Sequence, residues 1–574
     1  MKKLIALMLA LLLVVGMFAA CDKNGDTPPA GNGTENGSNP TTDNGTTPDG
    51  DTASALDIRV CIASEPQTID PQLNTSVDGA VMAHHSFEGL FKWADDGDGN
   101  AILVPGQIEE NFTETANPDG SITYTFKIRD DAKWSDGQAV VAGDFEYALR
   151  RLCDPATVAD YSYLVDGIIV GATEVLLGNA APETLAVKAV DNSTLEITIA
   201  TVCPYFTELL AFPALFPVRQ DIIEAHGDQW TFEPATYVTN GPYKMTEWVH
   251  NGYIKMVKNE FHYDYANLGP NSIRFDLMDD ENAMLTAFRS GELDFIENMP
   301  IDEIPALIAA GDLHIVPYIG TYYVSFQVQK APFNDPRVRE ALTLAIDRTY
   351  ITDSVTRAGQ VPADGFVPSG INDADVMGPD FRANGGGWFS IDPADYEANC
   401  ERARQLLAEA GFPNGEGFPT VEYLYNTNAD HAAVAQAIQA DWAEVLGINV
   451  NLNNQDWNVF LQTRKDGDYQ IARNGWIADF NDPISFLDMW ITGGGNNDAQ
   501  YANPDYDELI FAAKTESDPF KRMAIQHQAE KIIADEFLLS PIYFYTQKYM
   551  LNPAIEGMFY TPLGYFVFSY THTN

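Results

Sequence analysis

The order of apolar and polar residues along the chain predicts strands in its first half. Apolar side chains recur at every second position in residues 56–62 and 122–128, which is the period of a half-buried strand. Residues 185–190 and 195–199 alternate in the same way on either side of a polar turn and predict a hairpin. Tyr253–Lys258 predicts one more strand of this kind.

From residue 330 onward the spacing changes to that of helices with one apolar face. Asp335-Pro336 and Asp518-Pro519 each place a capping carboxylate before a proline at the first helical position. A further apolar stripe ends at Gly447 and is followed by an alternating strand, residues 448–452. Helices followed by strands predict an α/β domain with a mixed sheet.

The stretch 473–487 carries the densest candidate chemistry. It follows a short buried strand predicted over residues 469–472 and brings Arg473, Trp476 and Asp479 within seven residues. Pro483 then removes a backbone donor and restricts the residue before it, which predicts the end of regular structure. A carboxylate that leaves a buried strand beside an indole is well placed to meet an ammonium group.

Length and charge narrow the class of protein. A chain of 574 residues is too long for a single core, so two to three domains are expected. The net charge of −49 argues against binding to nucleic acids or anionic membrane surfaces, because both require clustered lysine and arginine.

The N-terminus has the form of a lipoprotein signal. A positive start is followed by an apolar run over residues 4–17, too short for a comfortable transmembrane helix, and by two alanines before Cys21. We expect a signal peptide over 1–20, lipidation of Cys21 and a disordered polar tether up to residue 55. An ordinary secretory signal with an incidental cysteine is the alternative.

The common sequence motifs of catalytic, metal and nucleotide sites do not occur in this chain. No nucleophile elbow, zinc-protease motif, P-loop or dinucleotide fingerprint occurs, so no catalytic residue, metal or cofactor is expected, although acidic pairs leave a secreted hydrolase open. The remaining cysteines have no metal spacing, and a disulfide and buried free thiols are equally open; they are Cys61, Cys153, Cys203 and Cys400.

Several segments together resemble one family. The run Gly-Trp-x-Ala-Asp-x-x-x-Pro-x-x-Phe-Leu begins at Gly475 and is typical of its oligopeptide branch. The other matching segments, in chain order, are Lys133-Trp-Ser-Asp-Gly137, Thr239-Asn-Gly-Pro-Tyr-Lys244, Thr321-Tyr-Tyr323, Pro332 to Leu342, Ala345-Ile-Asp-Arg348 and Asn449 to Gln455. The chain from about residue 56 onward therefore resembles the oligopeptide-binding (OppA-type) proteins of peptide ABC importers.

The resemblance implies a type II periplasmic-binding-protein fold, α/β in class, with three lobes that close around a ligand. Lobe I would comprise residues 56–92, 204–329 and 549–574. Lobe II would be residues 93–203, and lobe III residues 330–548.

The same resemblance implies a set of peptide contacts. Asp479 matches the residue that binds the peptide α-ammonium, and Arg473, His431 and Arg357 match cations for the peptide carboxylate. Backbone pairing with the peptide would come from Gly475, Trp476 and Ile477 on one side and from Ser76 and Val77 on the other. Aromatic side-chain pockets would be lined by Tyr161, Tyr318, Trp457 and Tyr545.

These features predict a non-catalytic, extracytoplasmic receptor, anchored to the membrane through its lipid, that hands oligopeptides to ABC permease and ATPase subunits. A monomer without cofactor or nucleic-acid partner is expected. Glu297 precedes Asn298 where the family pattern has two asparagines, and we expect this departure to add a carboxylate near the cleft that favours basic or amidated side chains. Oligosaccharides, murein peptides and signalling peptides remain alternative ligands, and a periplasm and the outside of a single-membrane cell are both open.

Overall fold

One mixed sheet organises residues 56–62, 65–97 and 101–573, which the computed structural model describes. The strands of this part of the chain are β1 (Asp57–Cys61), β2 (Phe91–Asp95), β3 (Ala101–Pro105), β4 (Thr113–Ala116), β5 (Ile122–Lys127), β6 (Val187–Ala189), β7 (Thr194–Ile199), β8 (Tyr243–Val249), β9 (Tyr253–Lys258), β10 (Ser272–Asp276), β11 (Phe295–Ile296), β12 (His314–Phe326), β13 (Val361–Pro362), β14 (Val421–Asn426), β15 (Val450–Gln455), β16 (Ile471–Ile477), β17 (Leu539–Leu551), β18 (Ile555–Glu556), β19 (Phe559–Tyr560), β20 (Phe566–Val567) and β21 (His572–Thr573).

Helices connect and cover these strands. They are α1 (Val77–Ser86), α2 (Ala142–Cys153), α3 (Ala172–Leu176), α4 (Phe206–Leu209), α5 (Gln220–His226), α6 (Glu281–Arg289), α7 (Ile304–Ala310), α8 (Pro336–Leu344), α9 (Arg348–Tyr350), α10 (Phe381–Gly385), α11 (Tyr396–Glu409), α12 (Ala429–Asp441), α13 (Trp457–Lys465), α14 (Ile484–Leu487), α15 (Pro504–Thr515) and α16 (Pro519–Asp535). Two π-helical turns, Ile351–Thr356 and Trp442–Leu446, continue α9 and α12.

The large sheet has the order β15-β14-β16-β12-β17-β11-β1-β10-β9-β8, with β13 added beside β17. Parallel pairs join β1 to β10 and β11, and β14 to β15 and β16, whereas the remaining pairs are antiparallel. A separate four-stranded sheet, β4-β5-β7-β6, falls within the range predicted as lobe II. The boundaries of the three lobes stay a prediction.

The two longest strands cross the middle of the large sheet and change register there. The first part of β12 pairs with the last part of β17, from His314 opposite Tyr549 to Pro317 opposite Thr546. Pairing resumes only where Thr321 faces Phe544. The interruption gives each strand an irregular segment at the centre of the molecule, and this segment borders the cavity of the candidate site.

The sequence patterns predicted most elements but misplaced some of their ends. The capping carboxylates Asp335 and Asp518 accept hydrogen bonds from the first helical amides, as expected. The strand predicted over 469–472 continues to Ile477, because β12 pairs with it along its whole length, and Pro483 precedes the short helix α14.

The described residues include the four cysteines after Cys21 but not the predicted membrane anchor. Cys61, Cys153, Cys203 and Cys400 are free and buried. No helix within the described residues is both long and apolar enough to cross a membrane. The predicted signal, Cys21 and the tether lie outside the described residues.

Candidate functional site

A cavity of about 390 Å³ lies where the ends of several elements meet. Its wall includes the outer part of β16, the irregular centre of β12 and β17, and the beginning of α1. A volume of this size falls within the range of roughly 300–1,000 Å³ typical of ligand pockets.

The structure brings together twelve of the thirteen ligand-binding residues that the sequence predicted. The lining of the cavity contains Ser76, Val77, Tyr161, Tyr318, His431, Trp457, Arg473, Gly475, Trp476, Ile477, Asp479 and Tyr545. These residues come from segments up to several hundred positions apart, and their convergence is the main evidence that the cavity is a site.

Arg357 is the predicted residue that does not line this cavity. It follows the π-helical turn with a φ of +56°, and its guanidinium donates to the carbonyl of Ile301 at 3.1 Å and to the carboxylate of Asp302 at 3.0 Å. Its side chain is thus held by the segment before α7. The geometry does not support the expected role of Arg357 at a peptide carboxylate.

Asp479 is a buried carboxylate without a cationic partner among the described residues. The Ser485 hydroxyl donates to it at 3.2 Å, and the Tyr161 hydroxyl donates at 3.4 Å. Burial raises the pKa of Asp479 well above its usual value, and the charge of Asp488 adds to this effect. A carboxylate in this condition is stabilised by any ammonium group that enters the cavity.

Arg473 presents the opposite charge six residues earlier. It is buried and forms no ion pair with a carboxylate of the described residues; its guanidinium donates to Asn426 at 2.8 Å and lies 2.7 Å from Nε2 of His431. Burial, together with the charges of Arg473 and Lys548, holds the pKa of His431 well below its usual value. A neutral His431 can therefore accept from Arg473, and the guanidinium charge is left for an anion.

Three further cations near the cavity were not predicted from the sequence. Arg464 lies 3.4 Å from Asp498, Lys465 contacts Asp160 at 2.5 Å, and Lys548 lies 2.9 Å from Asp430. Their ion pairs join residues 34 to 305 positions apart, and a local sequence pattern cannot predict such pairs. Because each already has a carboxylate partner, they differ from Arg473.

The outer edge of β16 is open toward the cavity. β14 pairs only with Ile471 and Ala472, so the rest of β16 has no second strand partner within the described part of the chain. The amide of Gly475 donates to the side chain of Asn474 at 2.8 Å rather than to a strand. A Cβ at Gly475 would lie 2.3 Å from the hydroxyl oxygen of Tyr545, which explains why a glycine is present there.

The beginning of α1 forms the facing wall. Ser76 is extended and precedes the helix, whereas Val77 is its first residue. The carbonyl of Ser76 already accepts from Asn74 at 2.8 Å and from the amide of Ala80 at 3.0 Å. Ser76 and Val77 thus contribute a helix entry, and not a strand, to the cavity.

The aromatic residues fall into separate groups around the cavity. Tyr318 and Tyr545 face each other across the register change, with ring centroids 5.5 Å apart. The ring of Trp457 lies 5.7 Å from the guanidinium carbon of Arg473, and Tyr161 lies 6.3 Å from Trp476. The wall therefore offers flat apolar surfaces beside each charged group.

Curated relatives with known names match most of the chain. The oligopeptide-binding protein OppA of Bacillus subtilis is 35% identical over 516 residues, which cover 88% of this chain and 91% of the relative. The periplasmic oligopeptide-binding protein OppA of Salmonella typhimurium is 37% identical over 503 residues, covering 86% and 88%.

Solved structures of similar proteins show the same fold. Haemophilus influenzae OppA in complex with the peptide RPPGFSPFR has a TM-score of 0.83 at 30% identity, covering 91% of this chain and 99% of that one. The unliganded open form of the periplasmic murein tripeptide-binding protein MppA covers the same shares at 30% identity, but its TM-score is 0.59. The described arrangement is thus closer to the peptide complex than to the open form.

A family model matches residues 106–498, more than half of the chain. This range contains the charged stretch of β16 and most of the cavity wall. Together with the relatives, it establishes the class that the sequence motifs predicted. The chain belongs to the bacterial extracellular solute-binding proteins, family 5.

Proposed function

We propose that this protein binds oligopeptides outside the cytoplasm and delivers them to an ABC importer. The observation that carries the proposal is a pair of opposite buried charges without ionic partners among the described residues, Asp479 and Arg473, at the two ends of an open strand edge. A zwitterionic peptide has the matching charges at its own ends. The named functions of the OppA relatives support the same assignment.

The open edge of β16 suits the main chain of such a ligand. An extended peptide can add to a sheet edge through backbone hydrogen bonds, which give affinity without reading side chains. The Gly475 amide would exchange its bond to Asn474 for a peptide carbonyl. The absence of a side chain at Gly475 keeps this approach free beside Tyr545.

The spacing of the two charges indicates short ligands. Six residues separate Arg473 from Asp479, which corresponds to roughly 20 Å of strand at about 3.3 Å per residue. Both residues line the same cavity, so peptides of a few residues would fit between the anchors. Longer peptides would have to place their C-terminus beyond Arg473.

The remaining parts of the proposal concern delivery. Membership of a solute-binding family supports a receptor that releases its ligand unchanged rather than an enzyme. A diacylglyceryl group on Cys21 would anchor the protein, and residues 22–51 would give a tether of roughly 30 Å. We propose a monomer whose three lobes, within the predicted boundaries, close on the peptide before it meets the permease.

Oligosaccharides, murein peptides and signalling peptides are the alternative ligands within this fold. A neutral oligosaccharide would leave both Asp479 and Arg473 buried without a counter-charge, which is costly. A murein peptide is less well matched where its N-terminus is joined to sugar, because Asp479 then loses the ammonium. The two open charges therefore favour peptides with a free N-terminus.

A calorimetric titration tests this function. The chain from residue 52 onward is stripped of copurified ligand by partial unfolding and titrated with a pool of tri- to pentapeptides, and then with the same pool after N-acetylation. Tight binding of the free pool that is lost on acetylation is the expected result. Equal binding of both pools would remove Asp479 from its role, and binding of neither would refute the peptide assignment.

A further inference from the structure

Two carboxylates on the wall of the cavity are not used by the peptide termini. Asp78 lies in the first turn of α1, and Glu297 follows β11, more than two hundred residues later. Both line the cavity. Neither is within ion-pair distance of a cation among the described residues.

Asp78 is the more unusual of the two. Only 8% of its surface is exposed, and one carboxylate oxygen, Oδ2, has no hydrogen-bond partner among the described residues. A position in the first helical turn accounts for a carboxylate there, because the helix dipole favours negative charge. It does not account for a buried, unpartnered oxygen at a cavity surface, or for a second carboxylate from a different segment.

Glu297 lies on the wall of the same cavity as Asp78. The side chain of Gln547 donates to Glu297 at 3.1 Å. Burial raises the pKa of Glu297 to about 8, and the charge of Asp78 is the next cause. The charge of the nearby Lys548 acts in the opposite direction on the pKa of Glu297, but its ammonium is paired with Asp430 and forms no ion pair with either carboxylate.

The groups that surround this pair are mostly acidic or aromatic. Besides Lys548 on β17, the titratable groups near it are Cys61 on β1, Asp279, Glu281 at the start of α6, Asp430 on α12, Tyr318 on β12 and Tyr560 on β19. Burial raises the pKa of the Tyr318 hydroxyl, and the charges of Glu297 and Asp78 contribute. Tyr318 lines the same cavity as both carboxylates, where its ring can cover the apolar stem of a long side chain.

We propose that Asp78 and Glu297 form a subsite for a cationic side chain of the bound peptide, lysine or arginine. This proposal rests on the proposed function, and it adds a substrate preference to it. The ammonium or guanidinium group would supply a counter-charge, since no described residue forms an ion pair with either carboxylate. The hydrogen bond from Gln547 would hold Glu297 in place. The backbone contacts along β16 would still admit peptides without such a side chain.

Proton release gives this subsite a distinctive signature. At pH 7 the free carboxylate pair retains a proton, because its two charges repel and are buried. A cationic side chain stabilises the fully ionised pair, so the proton passes to the buffer. A neutral side chain leaves the proton in place.

The experiment compares lysine with norleucine, which has the same four-carbon stem without the ammonium, at each position of a trialanine peptide with free ends. Affinities and proton release are measured by calorimetry at pH 7 in two buffers of different ionisation enthalpy. At one position we expect lysine to bind about tenfold more tightly than norleucine. The same lysyl peptide is expected to release up to about one additional proton.

Variants assign the effect to this pair. Glu297→Gln combined with Asp78→Asn is expected to abolish both the lysine preference and the additional proton, while retained binding of the norleucyl peptides shows that the fold is intact. Glu292→Gln, an exposed carboxylate just before β11, is the matched control and should behave like the wild type.

Three outcomes would overturn the inference in different ways. Equal affinity for lysyl and norleucyl peptides at every position would show that no cationic subsite exists, although the peptide function stands. A lysine preference that survives in the double variant would assign it to other residues. Failure of every peptide to bind the wild type would refute the proposed function and this subsite together.

Discussion

Asp479 and Asp482 lie in one stretch of the chain, are both buried, and have opposite surroundings. Asp482 faces away from the cavity and forms a two-pronged ion pair with Arg522 on α16, with a further contact from Gln526 at 3.3 Å. Asp479 faces the cavity, and its carboxylate receives only hydroxyl hydrogen bonds. The contrast shows that burial of a charge does not by itself mark a site; a missing counter-charge at a cavity wall does.

The layer behind the cavity repeats the pattern of Asp482. Asp488 lies 3.1 Å from Lys514, and both are almost fully buried. These ion pairs fasten α14 and the following turn to α15 and α16. These two ion pairs hold the backbone that follows Asp479 in place. The paired carboxylates thus position the unpaired carboxylate of Asp479.

The largest effect is expected from breaking the structural pair. Asp482→Ala leaves the guanidinium of Arg522 buried without a partner, which should lower the free energy of unfolding by about 3 to 5 kcal/mol. Denaturant unfolding followed by tryptophan fluorescence measures the loss. A loss below about 1 kcal/mol, the scale of an exposed pair, would contradict this contrast between the two aspartates.

Asp479→Asn should weaken peptide binding without lowering the stability of the protein. Affinity for peptides with a free N-terminus is expected to fall by about 2 kcal/mol or more, roughly thirtyfold, because the buried charge pair with the ammonium is lost. The free energy of unfolding should stay the same or increase, since an uncompensated buried carboxylate is removed. Calorimetry and the same unfolding assay separate the two effects; a marked loss of stability would make Asp479 structural.

The stability of the folded protein should depend on pH through Asp479. Because the pKa of Asp479 is raised, the folded protein keeps a proton that the unfolded chain has lost between the ordinary carboxyl pKa and the raised one. The contribution of Asp479 to the free energy of unfolding is fully present below the ordinary carboxyl pKa. It is lost as the pH rises through the raised pKa of the folded protein.

Peptide affinity should change with pH in the opposite direction. The ammonium binds the ionised carboxylate, so affinity for trialanine is expected to rise by up to about tenfold per pH unit across the same window. Titrations at a series of pH values in wild type and Asp479→Asn measure the difference between the two slopes. Identical slopes would show that another group controls the pH dependence.

The smallest effect is expected at the exposed pair near the cavity. Lys465 and Asp160 are in contact, but 43% of the lysine side chain is exposed to solvent. Lys465→Met should change the free energy of unfolding by less than about 1 kcal/mol. A larger loss would mean that this contact, like the buried pairs, carries part of the stability.

The sequence predicted the site more fully than the architecture around it. The residues of β16 and Asp479 were found because a specific local run contains them, and the caps at Asp335 and Asp518 because capping is a local interaction. Chain separation explains most of what was missed. Arg522 lies 40 residues from Asp482, and Asp78 lies 219 positions before Glu297, which the sequence did predict near the cleft. Neither relationship is visible in the local pattern.

Arg357 shows the limit of transferring a role by position. Its place in the chain predicted a contact with the peptide carboxylate, but a left-handed residue at the end of the π-helical turn directs its side chain toward Asp302. Its partner lies 55 residues away, and no periodic pattern contains that information.

The open edge of β16 also has a consequence for measurement. Hydrogen exchange of the Gly475 amide depends on what lies against that edge, since among the described residues the amide donates to the neighbouring Asn474 side chain. Any ligand that adds its main chain as a strand should slow this exchange, whatever its side chains. The single amide would then report occupancy in a mixture of unknown peptides, without a label and before any ligand has been identified.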